Sequence, residues 1–489
     1  MVEEGLRRKG FGGVVDTDWG RGVCAVGAWE EVQGMLTEEG GGLKKPILTS
    51  ACPGFVCYAE AVHPYLLPHL SRMKSPQAIL GTFIKSVLPK LIAQERGVGG
   101  KDVGPQEVYV VGVQPCFDKK LEGARGELTN ASWMEGVEKG REVRDVDCVI
   151  TTRELITLCG EEDFGKLPKM MPQRSNGIGE MLEGMLRTLN GGEGGFRYTP
   201  LPISPSSTSS TLQSQDVISN SILPSDPSLT TGTSGGYLIY ILRRLQSQHP
   251  GSTISITKGR NSDTAEYSLL SSQNTEIIKL ARSYGFRNIQ NLVRKLKPPK
   301  RRVLPKFGRR GAGGQVVLGG GAAGEGTSYA YVEVMACPGG CTNGGGQVKV
   351  DDALRIGRGD GGEVVVGVDT GAGEVGVVSA GAGVGGQQKQ REWLAKVDEA
   401  YWSDSSSPSI PKNVAMEVDG EQQEQHPFGI DPEKVRNFIN SWSQFTGVSV
   451  EKLLFTGYRM VEDEFNKDKR DEDPLMRAAE LAGKAGGGW

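Results

Sequence analysis

Histidine is scarce in this chain: His63, His69, His249 and His426 are the only four among 489 residues. That scarcity weighs against a histidine-centred hydrolase or zinc enzyme, so sulfur would have to do most of the work of holding a metal. Cysteine is sparse too, and eight cysteines at irregular spacing are far too few for a disulfide scaffold. No uninterrupted apolar run is long enough to span a bilayer, and the opening "MVEEGLRRKGFGG" lacks the apolar centre of a signal peptide. Neither sign of charge prevails: 56 Lys and Arg against 59 Asp and Glu leave a net charge of −3, which demands no polyanionic partner. These absences leave a soluble intracellular protein with reduced thiols, and its 37% apolar content suffices for a sizeable core in two or three domains.

What is present alternates between strand and helix patterns. "KPILTS" (Lys45 to Ser50), "EVYVVGV" (Glu107 to Val113), "DVDCVITTREL" (from Asp145) and "SYAYVEVMA" (Ser328 to Ala336) read as buried strands. Helical patterns follow the Pro53-Gly54 turn and run through "SPQAILGTFIKSVLPKLIAQ" from Ser75, "DKKLEGAR" and "GGYLIYILRRLQ". Thr151 and Glu154 have the spacing of a capping box. "TEIIKLARSYGFRNIQNLVRKLK" from Thr275 gives a strand or helix, a glycine turn and then a helix. Two short amphipathic helices are predicted near 391–402 and 432–444. Such alternation predicts an α/β fold with parallel-type sheets flanked by helices.

Three cysteines share one position in this pattern: Cys52, Cys116 and Cys337 each fall just past the C-terminal end of a predicted strand, the edge where ligand sites gather in open parallel sheets. Cys341 follows Cys337 in "VMACPGGCTNGGGQ", where Pro338, Gly339 and Gly340 let the backbone bend closely around a bulky object. Taken alone, a C-x-x-x-C pair is as well read as buried small hydrophobes in a loop. With Cys52 and Cys116 the thiols number four, the count a [4Fe–4S] cluster takes. Zinc also takes four thiolates, but usually from two closely spaced pairs, whereas these are scattered.

At this point the residues resemble a family. "TSACPGF" (Thr49 to Phe55), "QPCFDKKLE" (Gln114 to Glu122) and "EVMACPGGCTNGGGQ" (Glu333 to Gln347) are similar to the three signature motifs of iron-only hydrogenases, in the right order. "SPQAILGT", "DVDCVITTREL", "GGYLIYILRRL" and "REWLAKVDEAYW" resemble connecting segments of that family. The resemblance implies two α/β lobes with disordered insertions. Residues 1–202 form the first lobe with Cys52 and Cys116, 203–234 a flexible Ser/Thr-rich insertion, and 235–350 the second lobe with Cys337 and Cys341. Residues 351–390 are a Gly-rich insertion, and 391–489 hold C-terminal helices with a polar linker and tail. It also implies that Cys52, Cys116, Cys337 and Cys341 ligate a [4Fe–4S] cluster in the cleft between the lobes.

Two positions depart from the hydrogenases. Ala51 stands where they carry a proton-relaying cysteine, and an alanine methyl cannot transfer a proton. Gln114 stands where they usually have methionine. Lys119 is kept, and with no di-iron centre it is read as an exposed cation opening a helix. The T-S-A-C-P form resembles the eukaryotic hydrogenase-like branch, the cytosolic iron–sulfur assembly and nuclear prelamin A recognition factor-like proteins. That resemblance implies no hydrogenase activity. It implies a cluster-carrying adaptor whose partners are cytosolic iron–sulfur assembly and targeting proteins and apoprotein clients, in the cytoplasm and also the nucleus. Hydrogen conversion and a cluster-free nuclear interaction role are the alternatives. The family also carries a second, N-terminal cluster whose ligands are missing here; Cys24 alone cannot replace them, and truncation is the favoured explanation.

The remaining signals have plainer readings. Cys57, Cys148 and Cys159 are expected as core or near-core thiols, with Cys57 close enough to the first motif to approach the cluster. His63 and His69 are expected at the surface or in caps. "KLKPPKRRVLPKFGRR" (Lys295 to Arg310) lacks interleaved aromatics for base stacking and is read as a solvated basic loop, so nucleic acid is not expected as a partner. The glycine runs contain no G-x-x-x-x-G-K-[ST] phosphate loop. Trp489, an aromatic beside a free carboxylate on a glycine tether, is a candidate docking tag.

Overall fold

The computed structural model describes residues 2–37, 43–96, 103–159, 235–260, 263–298, 328–350, 390, 392–397 and 430–460. The Ser/Thr-rich stretch 203–234, most of the basic and Gly-rich stretches, the polar linker and Trp489 lie outside these residues, as does part of the 391–402 helix.

Runs of three to nine residues build the strands. β1 (Ile47–Thr49), β7 (Tyr331–Met335) and β6 (Glu276–Tyr284) run parallel in one sheet, and β5 (Thr264–Leu270) and β4 (Thr253–Lys258) extend it antiparallel to the order β1-β7-β6-β5-β4. β2 (Val111–Gln114) and β3 (Cys148–Thr151) make a separate parallel pair. The α/β expectation therefore stands, with an antiparallel extension that the sequence reading did not foresee. The 276–284 segment, left open between strand and helix, is the strand β6. β1 belongs to the residues before the Ser/Thr-rich stretch, yet it pairs with β7 from after it, Thr49 opposite Glu333.

Both faces of the large sheet are covered, which is why all five residues of β7 are buried. On one face, Ile47, Tyr331, Leu280 and Tyr267 pack with α2 (Asp18–Leu36) and α7 (Tyr237–Gln248). On the other, Leu48, Val332 and Val334 meet Phe55 and Ala59 of α3 (Pro53–Val62), and Ile289 and Val293 of α8 (Phe286–Leu296). The single-residue alternation between faces is the two-residue period of a strand.

The long helix α4 (Pro76–Arg96) opens with Ser75 accepting the Ala78 amide at 3.3 Å. Its core face joins α9 (Pro432–Thr446), where Phe83 and Trp442 meet edge to face at 5.2 Å and the Trp442 indole donates to Ser86 at 2.9 Å. α9 is well delimited: Asp431 accepts the amides of Glu433 and Lys434, Pro432 occupies the first turn, and Gly447 takes the left-handed C-terminal position at φ 73°.

Two buried carboxylates inside this core are well partnered. Asp145 accepts from Thr82 (2.9 Å) and Trp133 (2.8 Å), while Lys74 bonds Thr82 at 3.0 Å and lies 3.8 Å from the carboxylate. Glu333, in the middle of β7, accepts the amides of Gly236 and Leu238 and the Tyr284 hydroxyl, and so fastens the N-terminus of α7 to the sheet. Gly235 cannot carry a side chain there, since a Cβ would fall 2.2 Å from the Glu333 carboxylate. The helix α6 (Thr152–Cys159) opens with the predicted capping box: Glu154 N donates to Thr151 Oγ1 at 3.2 Å, and Thr151 N to Glu154 at 2.8 Å. None of the helices among the described residues is long and apolar enough to cross a membrane.

Candidate metal centre

β1, β2 and β7 each deliver a cysteine from the turn at their C-terminal end. Cys52 is the N-cap of α3, Cys116 precedes α5 (Asp118–Gly123), and Cys337 leads into a short helical turn that begins at Cys341. Because β1 and β7 are hydrogen-bonded neighbours, the Cys52 and Cys337 turns emerge side by side. Ser50 strengthens the link: its hydroxyl donates to Val334 O at 2.7 Å and accepts Cys52 N at 3.2 Å. The loop between Cys337 and Cys341 takes left-handed conformations at Gly339 (φ 74°) and Gly340 (φ 93°), and Asp263 accepts the Gly339 amide at 2.6 Å.

The glycine run after Cys341 serves close approach. A Cβ on Gly344 would sit 2.2 Å from Pro115 O, and Gly346 N donates to that same carbonyl at 3.0 Å. The third motif is thereby pressed directly onto the loop that carries Cys116.

The four thiols lie in one neighbourhood, with two of them in contact. Cys116 and Cys337 are within hydrogen-bonding reach, and the bond from the Cys337 thiol pushes the Cys116 pKa down to about 7. Cys337 holds its proton far above the usual thiol range: first the bond to Cys116, then burial, then the nearness of Cys116, Cys341 and Cys52 favour the neutral form. Burial also raises Cys52, against the opposing pull of the Ala336, Phe55 and Gly54 amides. The Asp118 amide donates to the Cys116 sulfur at 3.4 Å, joined by that of Lys119. The Cys341 thiol points to the Met335 sulfur at 3.7 Å. Among the described residues, no three His, Cys, Asp or Glu side chains are gathered tightly enough for a single metal ion. A polynuclear cluster takes its thiolates one per iron, on a wider frame than one ion's ligand shell.

Beside the thiols lies a cavity of about 260 Å³, lined by Ala51, Gln77, Gln114, Lys119, Met335 and Cys341 among others. Lys119 corrects the sequence reading: it is not an exposed cation but a buried one, 7% exposed and paired with Glu122 at 2.7 Å, which Ser75 also engages. Burial of both partners was not signalled by the polar run "DKKLEG". Also unforeseen were Ser50, Asp263 and Glu333 as positioning residues, although Ser50 and Glu333 lie inside the quoted motifs.

The other four cysteines stand elsewhere. Cys24 is buried in the main core, donates to Lys74 O at 3.2 Å, and is pushed up to about 12 by burial. Cys159 packs with Leu6 and Leu155, Cys148 begins β3, and Cys57 lies on α3 near Arg125, its pKa raised by burial. His63 bonds the Tyr58 hydroxyl at 2.8 Å and His69 the Lys44 and Pro46 carbonyls at 3.1 Å.

Similarity to known proteins agrees with this layout. Residues 1–345 match the family model described as iron only hydrogenase large subunit, C-terminal domain. A solved [FeFe]-hydrogenase, described with the degradation of its H cluster 2Fe subcluster, superposes with a TM-score of 0.51 over 94% of this chain and 87% of that one, at 20% identity. The fold is thus that of the iron-only hydrogenases. Along its whole length the chain is 40% identical to the cytosolic Fe-S cluster assembly factor nar-1 of Neurospora crassa, covering 73% of that protein. It is 41% identical to NAR1 of Phaeosphaeria nodorum over 98% of this chain and 71% of that one, and 41% identical to nar1 of Talaromyces marneffei over 99% and 73%. The chain belongs to this family of cytosolic Fe-S cluster assembly factors, the hydrogenase-like branch to which its T-S-A-C-P motif pointed.

Proposed function

We propose that this chain works in cytosolic iron–sulfur protein assembly, holding one [4Fe–4S] cluster on Cys52, Cys116, Cys337 and Cys341 and assisting cluster transfer to apoproteins. The observation that carries this reading is the contact of Cys116 with Cys337, from distant loops, with Cys341 and Cys52 near enough to raise the Cys337 pKa as well. The donor set fits the group: it is all sulfur, and amides of Gly54, Phe55, Ala336, Asp118 and Lys119 face the Cys52 and Cys116 sulfurs, where they would offset thiolate charge. When bound, such a cluster supplies a one-electron couple and a unit that can be handed on. The protein's own part is to hold the ligands in place. The Cys116 pKa is lowered where those of Cys52 and Cys337 are raised, Ser50 and Asp263 fix the two loops, and iron binding would displace the remaining thiol protons.

Ala51 supports an assembly role over hydrogen conversion. It lines the cavity next to the thiols with a methyl group, which offers no route for a proton. The two-lobed division 1–202 and 235–350, with insertions at 203–234 and 351–390 and a C-terminal part 391–489, belongs to the same proposal. So do docking on targeting proteins through Trp489, apoprotein clients, and a location in the cytoplasm and nucleus.

Anaerobic reconstitution tests the reading. About four irons and four sulfides per chain are expected. Unchanged iron content in a Cys337→Ala/Cys341→Ala variant overturns the ligand set, and robust hydrogen evolution from a reduced dye overturns the assembly role.

A further inference from the structure

A larger cavity of about 600 Å³ lies away from the thiols, between α8 and β4, β5 and β6, beside the core residues Ala281, Leu292 and Val332. Strand alternation puts polar side chains of β5 on its wall. Ala265, Tyr267 and Leu269 of β5 turn into the core, while Thr264 and Glu266 face the cavity. α8 supplies the opposite wall with Arg287, Asn288, Asn291 and Lys295.

The lining is one-sided in charge. Arg260, Arg287 and Lys295 stand with one carboxylate, Glu266, which Lys279 (2.7 Å) and the Tyr329 hydroxyl already engage, while Lys258 and Arg282 pair with Ala265 and so turn to the opposite face. Arg260 and Arg287 are exposed, and neither side chain has a hydrogen-bond or ion-pair partner among the described residues. The positive character continues in the sequence, since Lys295 to Arg310 holds eight cations and no carboxylate. One end of the cavity abuts the cysteine loop: Asp263, next to Thr264, holds the Gly339 amide, and Gly285 N, just before α8, donates to Met335 O at 2.9 Å.

We propose that this groove docks an extended, carboxylate-rich segment of a partner protein and so seats that partner beside the Cys337–Cys341 loop. Docking goes beyond the cluster reading and does not require it. Guanidinium forks with Ser, Thr and Asn side chains between them match carboxylates along a single extended chain. A nucleic acid strand is the poorer fit. Tyr329 is the aromatic residue in the lining, and Lys279 already sits 5.6 Å over its ring, so the groove offers no series of open aromatic faces for successive bases.

The test uses the full chain and a fluorescein-labelled oligoglutamate peptide, read by anisotropy at low and high salt. Saturable, salt-weakened binding is expected, with a loss of about tenfold or more in an Arg260→Glu/Arg287→Glu variant whose melting temperature and iron content are unchanged. Arg260→Gln/Arg287→Gln should give a smaller loss in the same direction. Binding that persists in the Cys337→Ala/Cys341→Ala variant supports docking whatever becomes of the cluster reading. Unchanged affinity in both arginine variants overturns the proposal, as does a loss produced only by neutralising Lys300, Arg301 and Arg302. Tighter, competing binding of an oligothymidylate of equal charge overturns it in favour of a phosphate polymer.

Discussion

Glu333 accepts the backbone amide of Gly236 through both carboxylate oxygens, each at 3.1 Å, and both residues are buried. One side chain in the central strand thus satisfies helix-start donors that would otherwise be orphaned. A Glu333→Gln substitution turns an amide nitrogen toward those donors and should cost about 1–3 kcal/mol in chemical denaturation. Tyr284→Phe, which removes one donor to the same carboxylate, should cost less. An unchanged midpoint in Glu333→Gln would show that the contact does not anchor α7.

Neighbouring glycines after Cys341 should respond differently. Gly344→Ala forces a Cβ to within 2.2 Å of the Pro115 carbonyl, whereas at Gly345 the nearest atom, on Phe117, is 3.5 Å away. Reconstituted Gly344→Ala should therefore lose iron during gel filtration, and Gly345→Ala should retain it. Equal retention in both would mean that close approach to Pro115 is dispensable.

Lys119 and Glu122 form an ion pair whose side chains are each 9% exposed. Lys119→Ala leaves the carboxylate buried and unpaired and should cost about 3–5 kcal/mol, while Lys119→Met/Glu122→Gln should recover most of the loss. Equal destabilisation of the single and double variants would assign the cost to packing.

Glu31 of α2 gives the fold a pH dependence. Burial, against the opposing bonds from Ser71 and the Arg72 amide, raises its pKa from 4.5 to about 7, and its Oε2 has no hydrogen-bond partner. The unfolded chain releases this proton near the ordinary value and the folded chain holds it, so the folded state binds more protons between the two. Stability from this group falls as pH rises through that window. Glu31→Gln should raise the melting temperature above pH 7 and change it little near pH 4.5. A pH-independent effect would count against the shift.

The cysteine-bearing turns were legible because proline, glycine and thiol stand together directly after apolar strands, a pattern with few structural meanings. The β4–β5 extension was not. "TISITK" alternates residues that are half-buried at most, so no apolar stripe marks it. "EIIKLARSY" satisfies both periods, and only its neighbours β5 and β7 decide for a strand. Lys119 looked exposed because a charge discloses its burial only through a partner, and Glu122 is equally at home on a wet helix face. The pairing of β1 with β7 could not be read from local pattern, since nothing in three residues names a distant partner.

That pairing has a consequence for how the protein is made. Ile47, Leu48 and Thr49 stay without their sheet neighbour until Tyr331, Val332 and Glu333 have left the ribosome. Closing so long a loop carries its entropy in advance of the contacts that reward it. The first and third motifs thus gain their mutual position in a single late event. A chain arrested before β7 would carry Cys52 and Cys116 with nowhere to assemble, so completion of the thiol set waits on the synthesis of β7 and the loop after it.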